Sequence, residues 1–166
     1  NVWTNVGAGS GDIQVFQGSG SNYGYGSFGG LATGNAIQRY SYASDGNAVD
    51  TTQDINSPGT GESSGCSSTT YGYTMLWQSG QFSNVGTIGK FQFNTSNNMT
   101  TVGNLSTGTT NRVQPFGTMS STYGYGMGGG EPTTNIIEKF NFSSGADATD
   151  VGDITQVRRG IAGCQI

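Results

Sequence analysis

The sequence predicts an all-β protein built from about three repeats of roughly fifty residues, with no long helix. Three observations carry that expectation. Gly, Ser, Thr and Asn make up about half of the 166 residues, whereas the strong helix formers Ala, Leu, Glu and Lys are scarce. Eight Tyr, eight Phe and two Trp are too many aromatics for a disordered linker. The string YGY recurs at Tyr23, Tyr71 and Tyr123, at intervals near fifty residues.

The elements follow in chain order. Val6-Gly7 and then DIQVFQ (Asp12 to Gln17) lead into Tyr23, much as Val102-Gly103 leads into Tyr123. In YGY, Tyr alternates with Gly, so a strand here has one aromatic face and one nearly bare face that a neighbouring backbone can approach. Next come IQRYSY (Ile37 to Tyr42), IGKFQF (Ile88 to Phe93) and IEKFNF (Ile137 to Phe142). On a strand, Ile and the base share one face and the two aromatics share the other. Such a strand belongs between stacked sheets, with the base running along its neighbours. Tyr40, Tyr42, Phe91, Phe93, Phe140 and Phe142 are therefore expected to be buried. The turn SDGN (Ser44 to Asn47) follows the first of these strands. Val49, Val102 and Val151 come next, then Ile55, Leu105 and Ile154. Gly29-Gly30 and Gly128-Gly129-Gly130 follow the first and third YGY, whereas the second unit reads LWQSG (Leu76 to Gly80). The chain divides into a partial unit, 1–22, and repeats 23–70, 71–122 and 123–166, the last ending mid-unit.

Small stacked sheets at this period suggest propeller blades. A kelch blade spans roughly 50 residues and a WD40 blade roughly 40–45, and the chain has no Gly-His or Trp-Asp pair. The stretch GGGEPTTNIIEKFNFSSGADATDVGDITQVRRGIAGC (Gly128 to Cys164) resembles the kelch-like repeats of bacteriophage structural proteins, especially those of marine phages. ASDGNAVD (Ala43 to Asp50) fits that pattern moderately, and NTSNNMTTVGNL (Asn94 to Leu105) departs from it most. The resemblance implies kelch-like β-propeller blades in an open or oligomer-completed array. It also implies a non-enzymatic structural or adhesive role in a virion, as tail, fibre or capsid decoration. Fold alone does not settle function, since such propellers include enzymes and binding scaffolds. Triple-stranded β-fibres and β-solenoids are the architectural rivals, usually with shorter repeats. Because propellers need about 4–8 blades, closure is expected from residues beyond this stretch or from another copy of the chain. The expected partners are the chain itself as a homo-oligomer, other particle proteins, or a host-surface glycan. The alternative is a secreted, extracellular, lectin-like or carbohydrate-active propeller of a bacterium.

Several function classes drop out. The chain has no His, which excludes Ser-His-Asp and Cys-His mechanisms and His-containing zinc sites. Six basic and ten acidic residues, with Arg158-Arg159 the one basic doublet, make no nucleic-acid footprint. No apolar stretch approaches the ~18 residues of a membrane span. No cofactor and no metal are expected. Cys66 and Cys164 occupy similar phases of different units, too far apart for the ~7 Å Cα limit of a disulfide, and read as free thiols packed as small hydrophobes. Asp147, Asp150 and Asp153, with Asp45, Asn47 and Asp50 in the matching turn, read as backbone caps before they read as calcium ligands. Nothing in their spacing pairs Glu62, Glu131 and Glu138 as glycosidase carboxylates. The four N-x-[ST] sequons, at Asn94, Asn98, Asn104 and Asn141, are what this composition yields by chance. The second unit departs from its siblings around Trp77. Trp77, Gln78, Asn97 and Asn98 are accordingly the candidate ligand-binding residues, an aromatic beside amides being suited to a neutral polyol.

Overall fold

In the computed structural model of the chain, the described residues are 12–17, 22–29, 36–44, 46–54, 64–76, 86–106, 115–130 and 133–159. They form twelve strands and, among the described residues, no helix. The first sheet contains β1 (Asp12–Gln17), β2 (Tyr23–Gly29), β3 (Ala36–Ser41) and β4 (Val49–Asp54). The second contains β5 (Ser64–Ser67), β6 (Tyr71–Leu76), β7 (Thr87–Gln92) and β8 (Thr100–Asn104). The third contains β9 (Phe116–Met119), β10 (Tyr123–Met127), β11 (Ile136–Asn141) and β12 (Thr149–Asp153). Each sheet is a four-stranded antiparallel meander in chain order. The all-β expectation holds; the three sheets do not close into a ring.

The repeat in the sequence becomes a repeat in register. Tyr25, Tyr73 and Tyr125 stand opposite Arg39, Lys90 and Lys139, while Gly24, Gly72 and Gly124 stand opposite Tyr40, Phe91 and Phe140. The pairing of the third and fourth strands slips at the same place in each sheet, directly after Ile37, Ile88 and Ile137. The hairpins that open the second and third sheets also match. The hydroxyl oxygens of Ser68 and Ser120 each accept the backbone N–H three residues on, from Tyr71 and Tyr123, at 3.0 Å.

The sheets stack in chain order, with β5 lying against β1 on one side and β9 on the other. Two cores result. Tyr25 and Ile37 of the first sheet pack on Phe91, Phe93 and Met99 of the second. Cys66, Tyr73, Met75, Ile88 and Leu105 of the second pack on Phe140 and Ala148 of the third. Phe91, Phe93 and Phe140 are buried as expected, and Tyr40 and Phe142 are half-buried. Tyr42 departs from the expectation, being 52% exposed. Its ring lies on the outer face of an end sheet, where no described sheet covers it.

Candidate functional site

The most constructed features of the molecule are the two junctions between sheets. Within each sheet, the bare Gly of YGY lies beneath the first aromatic of the third strand. A Cβ added at Gly24, Gly72 or Gly124 would run into the ring of Tyr40, Phe91 or Phe140. The base of that strand stacks on the first Tyr of YGY. Arg39 lies 4.9 Å from the Tyr23 ring centroid, Lys90 4.7 Å from Tyr71, and Lys139 4.7 Å from Tyr123. The stem thus covers apolar surface while the charge sits over a ring face.

Between sheets, the second Tyr of YGY is the anchor. Tyr25 stacks on Phe93 at 4.6 Å, and Tyr73 stacks on Phe142 at 4.7 Å. Their hydroxyls donate to the following turn, at 3.1 Å in each case: Tyr25 to Asn94 Oδ1 and Tyr73 to the carbonyl of Phe142. A pair of hydrogen bonds repeats at the far end of each junction. The N–H of Met99 donates to the carbonyl of Asp54 (3.0 Å), and the N–H of Ala148 to that of Asn104 (2.8 Å). In return, the N–H of Asp54 donates to Asn98 Oδ1 (3.0 Å), and the N–H of Asn104 to Asp147 Oδ1 (2.8 Å). Each junction is therefore one aromatic stack and one reciprocal hydrogen-bonded pair.

Sequence-predicted residues fall into place accordingly. Trp77, Gln78, Glu62, Glu131, Asp45 and Cys164 lie outside the described residues. Asn98 is drawn into the junction with Asp54. The carbonyl of Asn97 accepts from Gln53 Nε2 at 2.8 Å, so both amide residues help to join the first two sheets. Asp147 serves Asn104, while Asp50 and Asp150 cap the N–H groups of Thr52 (2.8 Å) and Gly152 (3.0 Å) where the pairing slips. Among the described residues, no three His, Cys, Asp or Glu gather as a metal site. Glu138 is fully buried and accepts from the Ser106 hydroxyl. Cys66 is a buried free thiol, and burial pushes it up to about 12 despite a backbone hydrogen bond at Tyr125 that opposes the shift. It packs with Tyr73, Met75 and Phe140 as a small side chain of the core.

Sequence reasoning missed two features. Gln53, fully buried in β4, reaches across to the carbonyls of Gln92 and Asn97. Gly89 leaves room for Met99, whose thioether occupies the space a Cβ there would need. The sibling units have Gln38 and Glu138 in place of Gly89, and Ala48 and Ala148 in place of Met99, so bulk has moved from one strand to its neighbour. Met99, one of the departures of the second unit, is thus matched by the missing side chain at Gly89. No protein-family model matches the chain, and no curated protein matches it either.

Proposed function

We propose that the chain is a non-enzymatic structural and adhesive component of a phage particle, its three sheets serving as kelch-like blades of a propeller-type array. The observation that carries this reading is the duplication of one junction. The same aromatic stack and the same reciprocal hydrogen bonds join both pairs of sheets. The reading is supported by the packing role of several polar groups among the described residues: Asp147, Asn98 and Gln53 bind backbone, and Cys66 is buried. The virion as its location rests on the resemblance of residues 128–164 to repeats of phage structural proteins. Neighbouring copies, other particle proteins or a host-surface glycan are the partners this role implies, with Trp77, Gln78, Asn97 and Asn98 the candidate glycan contacts.

Purified particles test the reading. The chain should copurify with capsid or tail in fixed stoichiometry, and should release no reducing ends from host surface polysaccharide. Turnover of polysaccharide would overturn the non-enzymatic role in favour of a secreted carbohydrate-active propeller. Loss of host-surface binding on Trp77→Ala, with an unchanged CD spectrum, is the expected result for the adhesive contact.

A further inference from the structure

The two internal junctions define a donor face and a receptor face on a sheet, and among the described residues no sheet covers the receptor face of the first sheet or the donor face of the third. On the donor side, Tyr25 and Tyr73 are almost wholly buried, whereas Tyr125, their equivalent in the third sheet, is only half-buried. Ile37 and Ile88 are fully buried, and Ile137 is not. Val102 packs into the core between the second and third sheets, while its counterpart Val151 is 45% exposed. A Cβ at Gly103 would press on the Ala146 carbonyl of the next sheet at 2.6 Å, but one at Gly152 would meet nothing within 4 Å. The receptor side mirrors this at the first sheet. Tyr42 is 52% exposed where Phe93 is buried, and Ala48 is exposed where Met99 and Ala148 are buried. Asn47 holds the turn position from which Asn98 and Asp147 accept a backbone N–H of the preceding sheet.

From this we infer that the chain docks head to tail on a second copy of itself, the donor face of the third sheet seating on the receptor face of the first. The inference deepens the array reading above and rests on it. The contacts are dictated by the internal junctions. The Tyr125 ring stacks on Tyr42, as Tyr73 does on Phe142. The Ala48 N–H donates to the carbonyl of Asp153, and the Asp153 N–H donates to Asn47 Oδ1, as at the other two junctions. Val151 and Gly152 then receive the turn that ends in Ala48. The two faces are different surfaces, so the contact is heterologous. It continues into a closed ring or an open filament according to the rotation between copies.

Blocking one end at a time tests this. Tyr125→Glu disables the donor face, and Tyr42→Asp disables the receptor face. By light scattering, the wild-type chain at micromolar concentration should be a multiple of its 17.2 kDa mass. Each variant alone should be a monomer, and an equal mixture should give a one-to-one pair and nothing larger. A monomeric wild type, variants that still self-associate singly, or a mixture that fails to pair would each overturn the inference. Val151→Asp and Asn47→Leu change exposed positions on the same two faces and replace either variant whose near-UV CD spectrum departs from wild type. If the chain remains monomeric yet copurifies with particles, head-to-tail docking falls and the structural role stands.

Discussion

Gly72 carries no side chain, yet its position is among the most tightly determined in the chain, because the Phe91 ring lies in the space a Cβ would occupy. Gly72→Ala should therefore destabilise the fold by overpacking, by roughly 1–3 kcal/mol in a urea titration. The repeated spacing of YGY and of the I-x-base-aromatic strand made both strands legible, but the bare face was expected to admit a neighbouring backbone, and it holds the aromatic ring of the paired strand instead. The backbone at Thr52 was not legible: its φ of 63° depends on the slipped pairing of β3 and β4 and on the Asp50 cap, neither of which leaves a local signature. The state of Cys66 required the fold as well. Burial raises its pKa from 9.0 to about 12, so between those values the unfolded chain releases a proton that the native chain keeps. The unfolded state then binds fewer protons, and stability should fall as pH rises across that window, by on the order of 1 kcal/mol per unit. Urea unfolding at about pH 8 and about pH 10 should show this loss, and Cys66→Ala should show less of it.

At the scale of the element, the turn between the third and fourth strands matters most, because it bonds to the preceding sheet as well as to its own. Asp147 accepts the Asn104 N–H, and Asn98 performs the same task with an amide oxygen. Asp147→Ala should consequently cost about 1 kcal/mol, whereas Asp147→Asn should retain most of the bond. Denaturant midpoints of the two variants, compared with wild type, measure the difference. From sequence these aspartates were legible as backbone caps but not as links between sheets. A cap on a neighbouring unit depends on how units are stacked, and a linear pattern records only how each unit repeats. The strands themselves read more plainly. Ile37 to Tyr42, Ile88 to Phe93 and Ile137 to Phe142 match β3, β7 and β11 to within one residue, because alternation of large side chains needs no tertiary information. Of the candidate glycan site, only Asn97 and Asn98 fall among the described residues, and both read there as parts of a junction.

For the molecule as a whole, among the described residues the second sheet has a neighbour on each side and the others have one apiece. Hydrogen exchange of the undocked chain, read on the Tyr125→Glu variant, should follow this arrangement, with the amides of β6 and β7 slowest and those of the outer strands β4 and β12 fastest. Uniform protection across the three sheets would contradict it. That the sheets stack was foreseen from large side chains on both faces of one strand. The exposure of Tyr42 was not, because a local pattern cannot tell an end unit from a middle one. The exchange of bulk between Gly89 and Met99 bears on how the chain reaches this state at all. Adjacent units so alike could trade strands while folding, β7 entering the place of β3 or β11 with its aromatics correctly aligned. A strand carrying Gly89 beside a turn carrying Ala48 or Ala148 would leave a hole, and Glu138 or Gln38 beside Met99 would collide. The mismatch marks β7 with the sheet to which it belongs, and so guards the middle of a repetitive chain against misassembly.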